Sequence, residues 1–436
     1  MQYTITAPSR LNTTVKLPAS KSISNRALII YALSSGSLLP DFACHTPTFR
    51  LENLSECDDT DVIVQALKDN PYEIDIKAAG TAMRFMTAYL ATRVGEEHVL
   101  TGTERMQHRP IHVLVDALRR LGADIEYVGQ EGFPPLRIKG RQLEGGLLEI
   151  PGNISSQFVS ALLLIGPMLR DGLTLRLKGS IISRPYIDLT LWTMREFGAE
   201  ADWDDFETIK VVPKPYRERP YFIESDWSAA SYWYEMMALS KDENDEVRLE
   251  GLMDGSKQGD SSVRYLFSLL GVKTTFDSKE PGVPTTVTLR HSGRCVPRLE
   301  YDFVNSPDLA QTFIVCCAML KVPFHFKGLS TLKIKETDRI EAMKTEMRKL
   351  GFVLHSIDDC ELYWDGEMDH GDGSPTGRSV ALHSSDPIDT YEDHRMALSF
   401  APAAFRLPQL QINNPQVVSK SYPKFWENLK AAGFVV

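Results

Sequence analysis

Several short segments bring a cation together with small polar residues at the expected start of a helix. PASKSISNR at 18–26 carries Lys21, Ser22 and Arg26 ahead of the apolar run ALIIYAL. AGTAMR at 79–84 carries Gly80, Thr81 and Arg84, and RMQHRPI at 105–111 carries Arg105 and Arg109. Ser155, Ser156 and Gln157 open FVSALLLIG, and Ser183 opens SRPYID with Tyr186. In the second half stand Asp308 in a Ser-Pro-Asp turn, the run KETDR at 335–339, Arg395 in DHR and Lys420 after Ser419. Unpaired N–H groups and the positive dipole end make a helix start an anion site. Lys adds a point charge, and Arg a planar fork suited to carboxylate or phosphate. Each segment alone is equally well explained by solvated charge or ordinary capping; Asp308 in particular could be a helix cap. Together, Lys21, Arg26, Arg109, Lys335, Arg339, Arg395 and Lys420 form a set that would repel itself unless anions joined it. With Asp308 and Glu336 as candidate proton-transfer groups, that set predicts chemistry on doubly anionic small molecules.

Other chemistries lack their residues. No GxxxxGK[ST] or HExxH occurs, and the glycines of HGDGSPTG at 370–377 follow no apolar strand, so this segment reads as a surface turn. His108, His112 and Asp116 have metal-face spacing, but Pro110 interrupts the helix they would need. No metal is expected. The six cysteines, 44, 57, 295, 316, 317 and 360, form no CxxC and read as free buried thiols. A net charge of −10 argues against nucleic acid as a partner. The opening MQYTITAPSR has no secretory pattern, and apolar runs such as FIVCCAML at 313–320 are too short to span a bilayer. A cytoplasmic protein without a membrane partner is expected.

The elements that position these residues follow a period. Amphipathic stretches end in an apolar residue and a glycine, then an extended segment follows. The glycines are Gly122, Gly198, Gly271, Gly351 and Gly433. Each predicts a helix ending in a C′ glycine before a strand. The spacing, about 70–80 residues, exceeds solenoid repeats and predicts about six α/β modules, the first without a clear copy of the signal. Candidate linkers are SKDENDEV at 240–247 and the 370–377 segment.

PASKSISNRAL, AAGTAMRF, RMQHRPI, SSQF, SRPYIDLT, KETDR and DHRMAL occur in an order and at spacings that resemble the 5-enolpyruvylshikimate-3-phosphate synthase family, the 3-phosphoshikimate 1-carboxyvinyltransferases. The resemblance runs from about Leu17 to Lys420. It implies an α/β fold of two domains, each of three βαβαββ repeats, with the active site in the interdomain cleft. Residues 1–19 and 226–436 would form one domain and 20–225 the other. The implied reaction moves the enolpyruvyl group of phosphoenolpyruvate to the 5-hydroxyl of shikimate 3-phosphate and releases phosphate, with no cofactor and a monomer as the working unit. Carried over, Lys21, Ser22, Arg26, Ser155, Ser156, Gln157, Ser183, Tyr186, Asp308, Thr331 and Lys335 bind shikimate 3-phosphate. Lys21, Gly80, Arg109, Gln157, Arg339, Arg395 and Lys420 bind phosphoenolpyruvate. Asp308, Glu336 and Lys21 are the catalytic candidates: Asp308 takes the 5-hydroxyl proton, and Glu336 or Lys21 protonates the methylene. Three positions depart from the family pattern. Ala78 replaces an Asn, Phe85 a Pro and Thr331 an Asn. Two alternatives are the sister transferase acting on UDP-N-acetylglucosamine and a non-catalytic phosphosugar-binding protein on the same fold. The sister family usually carries a reactive cleft Cys, and no Cys lies between Cys57 and Cys295.

Overall fold

The five glycines that set the period all lie just past a helix, in the left-handed region. Their φ values are 99° for Gly122, 83° for Gly198, 90° for Gly271, 88° for Gly351 and 92° for Gly433. At Gly122 the amide bonds Arg119 O, and the next amide, Ala123, reaches Leu118 O. The same pair of bonds recurs at Gly198, Gly351 and Gly433. This closure satisfies the last helical carbonyls, and only a residue without Cβ takes its φ freely. The module without the glycine signal ends its Asp58–Asp69 helix on Asn70, at φ 43°. Asn is the other residue that tolerates this conformation.

The structure, a computed structural model, describes residues 1–34, 51–369 and 386–436. The 370–377 segment and Cys44 lie outside the described residues. The chain divides into two compact units, Met1–Pro18 with Glu224–Val436, and Ala19–Ile223.

Within Ala19–Ile223, one sheet orders its strands Glu73–Asp75, Glu97–Thr101, Leu136–Lys139 and Asp124–Tyr127. The first pair is parallel and the other two are antiparallel. Gly146–Pro151, Leu173–Lys178, Thr208–Val211 and Ala201–Trp203 repeat that pattern. A third parallel pair joins Leu51–Glu52 to Tyr221–Phe222. In the other unit the pattern appears in Asn12–Lys16, Glu246–Met253, Pro284–His291 and Val272–Phe276. It appears again in Leu299–Asp302, Phe324–Lys327, Glu361–Trp364 and His355–Ile357. A last copy is reduced: Leu410–Asn413 pairs with Gln2–Ile5, and Ile388 bridges Ile412.

The parallel pair in each copy requires a crossover helix. Those helices are apolar nearly all round and therefore central. All ten residues of Ala310–Met319 are buried, and eight of the ten in Ser156–Ile165. The second helix of a copy, such as His112–Arg120, buries one face only. Each unit has its own apolar core around these central helices. Each crossover helix begins where a parallel strand has just ended, the usual location of ligand sites in α/β sheets.

Several local expectations need correction. SKDENDEV is no linker: Ser240 ends the Trp227–Leu239 helix and Glu246 already begins a strand of the same unit. Thr81 is not a cap; Ala79 holds that position and Thr81 lies within the first turn. Arg105 and Arg109 do precede the His112–Arg120 helix, but Arg105 itself lies inside the short Glu104–Gln107 helix. Not every thiol is buried, because Cys295 is exposed and Cys360 half-buried.

One core residue carries an unusual cost. Glu235, in the Trp227–Leu239 helix, is wholly buried, and neither carboxylate oxygen has a hydrogen-bond partner among the described residues. Burial pushes its carboxyl well above the usual range. The native state therefore holds this proton more tightly than the unfolded chain does. The associated penalty is absent below the unfolded carboxyl pKa and grows as pH rises from there. Glu235→Leu is expected to stabilise the protein by ~1–3 kcal/mol near pH 8. The gain should shrink in denaturant titrations at pH 5; a gain independent of pH would remove the buried-acid explanation.

Candidate active site

In the Ala19–Ile223 unit, hydrogen bonds tie together the first two turns of four helices: Lys21–Ser34, Gly80–Ala91, Ser156–Ile165 and Arg184–Glu196. Arg26 is the centre. It is 3% exposed. Its Nε donates to Thr190 Oγ1 at 2.7 Å and its Nη1 to Ser22 O at 2.8 Å. Its Nη2 donates to Ser160 Oγ and Tyr186 O, both at 3.1 Å. The guanidinium lies 5.5 Å from the ring centroid of Phe85. All these partners are neutral, and no carboxylate among the described residues pairs with it. Burial pulls its pKa down to about 10, against an upward pull from Tyr186. A buried cation satisfied only by dipoles still favours an arriving anion.

Around it, Lys21 Nζ pairs with Asp59 at 3.0 Å. Gln157 Nε2 donates to Thr81 Oγ1 at 3.0 Å, joining equivalent helix starts of successive repeats. Ser155 caps its helix through Gln157 N, and Ser156 is buried beside it. Ser183, also buried, precedes the Arg184–Glu196 helix at φ 54°. A non-glycine residue in this region is strained and holds it only because its surroundings dictate it. Gly80 packs against Arg109: a Cβ built on Gly80 would lie 2.6 Å from Arg109 Nη1. Arg84 bonds Gly80 O at 3.1 Å and Pro110 O at 3.2 Å, fastening the Gly80 turn to the segment that carries Arg109.

In the other unit, four cations surround three carboxylates. Asp308 lies in the Pro307–Leu309 turn before Ala310–Met319, and that helix takes Leu309, not Asp308, at its cap position. Its carboxylate meets Arg395 Nη2 at 3.0 Å, Arg339 Nη1 at 3.3 Å and Lys335 Nζ at 3.7 Å. Glu336 meets Arg339 Nη2 at 2.9 Å and Lys420 Nζ at 2.7 Å. Arg339, 1% exposed, is held by Asp393 through Nε at 2.7 Å and Nη2 at 3.1 Å. Arg395 Nη1 also donates to Tyr232 Oη at 3.2 Å and Asp308 O at 3.1 Å. Thr331 Oγ1 is buried without a hydrogen-bond partner among the described residues.

The electrostatics follow from this crowding. Burial alone would raise the Asp308 carboxyl, but Arg395, Lys335 and Arg339 overcome it and hold it well below the usual carboxylate range. For Lys335, burial dominates and lowers the pKa despite Asp308. For Arg339, burial opposes the charge, yet Asp393 and Glu336 push its pKa above the ordinary value. Asp308 and Glu336 are therefore held among cations rather than used as helix caps.

Thus the first unit gathers Ser22, Arg26, Ser156, Tyr186, Gln157, Gly80 and Arg109 around its helix starts, with Lys21 paired to Asp59 nearby. The second gathers Asp308, Lys335, Glu336, Arg339, Arg395 and Lys420. Asp59, Ser160, Thr190, Tyr232 and Asp393 belong to these networks and were not among the expected site residues. Asp393 adjoins the DHR arginine and Asp59 an acidic run, but nothing local indicates their partners.

The EPSP synthase family model, described as 3-phosphoshikimate 1-carboxyvinyltransferase, matches residues 5–429. This chain belongs to the EPSP synthase family. A 3-phosphoshikimate 1-carboxyvinyltransferase of Bacteroides fragilis is 55% identical over 434 residues, covering 100% of this chain and 98% of the relative. One from Aliivibrio fischeri is 34% identical, covering 97% of each. Among solved structures, an EPSP synthase from Acinetobacter baumannii superposes with a TM-score of 0.75 at 21% identity, covering 100% of this chain and 99% of that one. The enolpyruvyl transferase NikO from Streptomyces tendae gives 0.68 at 16% identity, over 99% and 97%. At such identities the superpositions speak for the fold, which is that of the enolpyruvyl transferases. As an EPSP synthase family member, the chain is not favoured as the UDP-N-acetylglucosamine enzyme. No helix among the described residues is long and apolar enough to cross a membrane.

Proposed function

We propose that this chain transfers the enolpyruvyl group of phosphoenolpyruvate to the 5-hydroxyl of shikimate 3-phosphate, giving 5-enolpyruvylshikimate 3-phosphate and phosphate. The observation that carries the reading is the cluster of Lys335, Arg339, Arg395 and Lys420 around Asp308 and Glu336, in a member of this family. The two units Met1–Pro18 with Glu224–Val436, and Ala19–Ile223, serve as the two domains of the family.

Arg26, Ser22, Ser155, Ser156, Gln157, Ser183, Tyr186, Lys335 and Thr331 bind shikimate 3-phosphate. Arg26 supplies the buried fork, the serines supply hydroxyls, and the Thr331 hydroxyl is a waiting donor. Arg109, Gly80, Gln157, Arg339, Arg395, Lys420 and Lys21 bind phosphoenolpyruvate. Glu336 gives a proton to the methylene carbon, which makes C2 electrophilic. The 5-oxygen bonds to C2 as Asp308 accepts its proton, forming a tetrahedral adduct. Glu336, left as the carboxylate, takes a proton back from the new methyl group as the bond from C2 to the phosphate oxygen breaks, and the departing phosphate carries off the proton held by Asp308. The cations stabilise charge on carboxylate and phosphate throughout. Proton transfer and displacement account for every electron, so the reaction calls for no metal or organic cofactor. The enzyme works as a cytoplasmic monomer.

The decisive experiment is phosphate release with both substrates, omitting each in turn. Release should require both. Release from phosphoenolpyruvate alone would point to a phosphatase, and no release with both, despite binding, to a phosphosugar-binding protein. The Gly80 contact gives a narrower test. Gly80→Ala should fold normally, because the guanidinium tip of Arg109 can yield. Displacing that fork should raise the KM for phosphoenolpyruvate about 3- to 10-fold and leave the KM for shikimate 3-phosphate nearly unchanged, the cost of weakening one charge-assisted bond. Equal rises in both constants would separate Arg109 from the phosphoenolpyruvate site.

A further inference from the structure

Both catalytic carboxylates stand on the same cations that the anionic substrates are to occupy. Glu336 spans Arg339 and Lys420, at 2.9 and 2.7 Å. Asp308 spans Arg395, Arg339 and Lys335, at 3.0, 3.3 and 3.7 Å. Asp393 is different: it is fully buried and grips Arg339 through Nε and Nη2, so it serves as a permanent counter-ion. Asp308 and Glu336 are 19% and 15% exposed in their side chains, and Lys420 and Lys335 are 10% and 24% exposed. Their pairs can open without unpacking the core, whereas that of Arg339 with Asp393 cannot.

We infer that Glu336 and Asp308 act as internal stand-ins for the substrate anions, holding the cation cluster together in the empty enzyme and yielding it when phosphate and carboxylate groups arrive. The inference rests on the functional reading above and adds to it how the site is primed. Four clustered cations are costly to keep without counter-charge. A carboxylate bonded to two or three of them is a poor base, in keeping with the depressed Asp308 carboxyl. When substrate anions take the cations, each carboxylate loses its positive neighbours and gains negative ones, and both changes raise its basicity. Binding of the correct anions thus turns structural counter-ions into proton-transfer groups: Glu336 takes up a proton from solvent and becomes the acid for the methylene carbon, while Asp308 stays ionised as the base, so the enzyme has little acid–base power while the site is empty. The cost is that substrates must compete with an internal anion, so ground-state affinity is lower than the cations alone would provide.

That cost is measurable. Inorganic phosphate and phosphoenolpyruvate, each without shikimate 3-phosphate so that no turnover occurs, are titrated calorimetrically into the wild-type enzyme, Glu336→Gln and Glu336→Ala. Removing the competitor should tighten binding of both anions about 3- to 10-fold, while turnover with both substrates falls at least ~100-fold. The Ala variant covers the case in which Gln keeps a hydrogen bond to Lys420. Glu341→Gln serves as control: Glu341 lies five residues on, in the Arg339–Lys349 helix, is half-exposed and pairs with Lys344, so anion binding should not change. Tighter binding in the Glu336 variants alone supports the inference, as does binding that becomes detectable only in them. Unchanged or weaker binding in folded Glu336 variants overturns it and leaves the functional reading intact. Absence of binding in every protein overturns the inference and the assignment of this cluster to phosphoenolpyruvate together.

Discussion

Asp308→Asn should lose at least ~100-fold in turnover while still folding and still binding shikimate 3-phosphate. The structure removes the main competing account of this residue. A helix cap would accept backbone N–H bonds and Asn would serve nearly as well. Asp308 is not at the cap position, and its carboxylate faces Arg395, Arg339 and Lys335. Its depressed pKa also fixes a sign. The ionised carboxylate stabilises the native state above the unfolded carboxyl pKa, and that contribution is lost as pH falls towards the folded value. The Asn variant should therefore melt lower than wild type at pH 7, with the difference narrowing below about pH 4. Circular dichroism verifies the fold, calorimetry the binding and phosphate release the rate. Near-normal turnover would make Asp308 a ligand only and move the base to Glu336 or Lys21.

Arg26→Lys should weaken shikimate 3-phosphate binding by about 10- to 100-fold with a much smaller effect on kcat, the loss of one or more charge-assisted bonds. The guanidinium satisfies four acceptors contributed by Ser22, Ser160, Tyr186 and Thr190. An ammonium has three donors in a tetrahedral rather than planar array and cannot replace them. The hydroxyls of Ser160 and Thr190, already bonded to each other at 2.8 Å, would lose the charged donor they share. The face lying against Phe85 would be lost as well. Steady-state kinetics with each substrate varied separates the outcomes. A fall in kcat with unchanged KM would mean that Arg26 acts on the transition state and not on the bound substrate.

Much of this molecule is written locally in its sequence. The glycine period predicted repeated helix–strand modules because the closing turn demands a positive φ, a property of one residue type at one position. Runs such as FVSALLLIG and FIVCCAML form central helices, since a helix apolar on every side has nowhere to lie but the core. Helix starts carrying hydroxyls and cations predicted anion sites, and KETDR with DHR did bring carboxylates and cations into one cluster. The module without a glycine escaped notice because Asn70 can also take the left-handed turn, but Asn occurs in so many other settings that it carries no period.

Only the tertiary structure decided which charges meet. Arg26 and Thr190 are 164 residues apart, Arg339 and Asp393 are 54, and Lys21 and Asp59 are 38. Sequence spacing constrains neighbours within a turn or a strand, while contacts over these distances depend on how whole repeats stack. The same limit applies to Asp308: its residues suit a cap or a base equally well, and what sets its carboxylate apart from a cap is three cations brought in from other segments. Side-chain chemistry and local geometry thus determined what each segment can do, and packing of the repeats determined which partner it does it with.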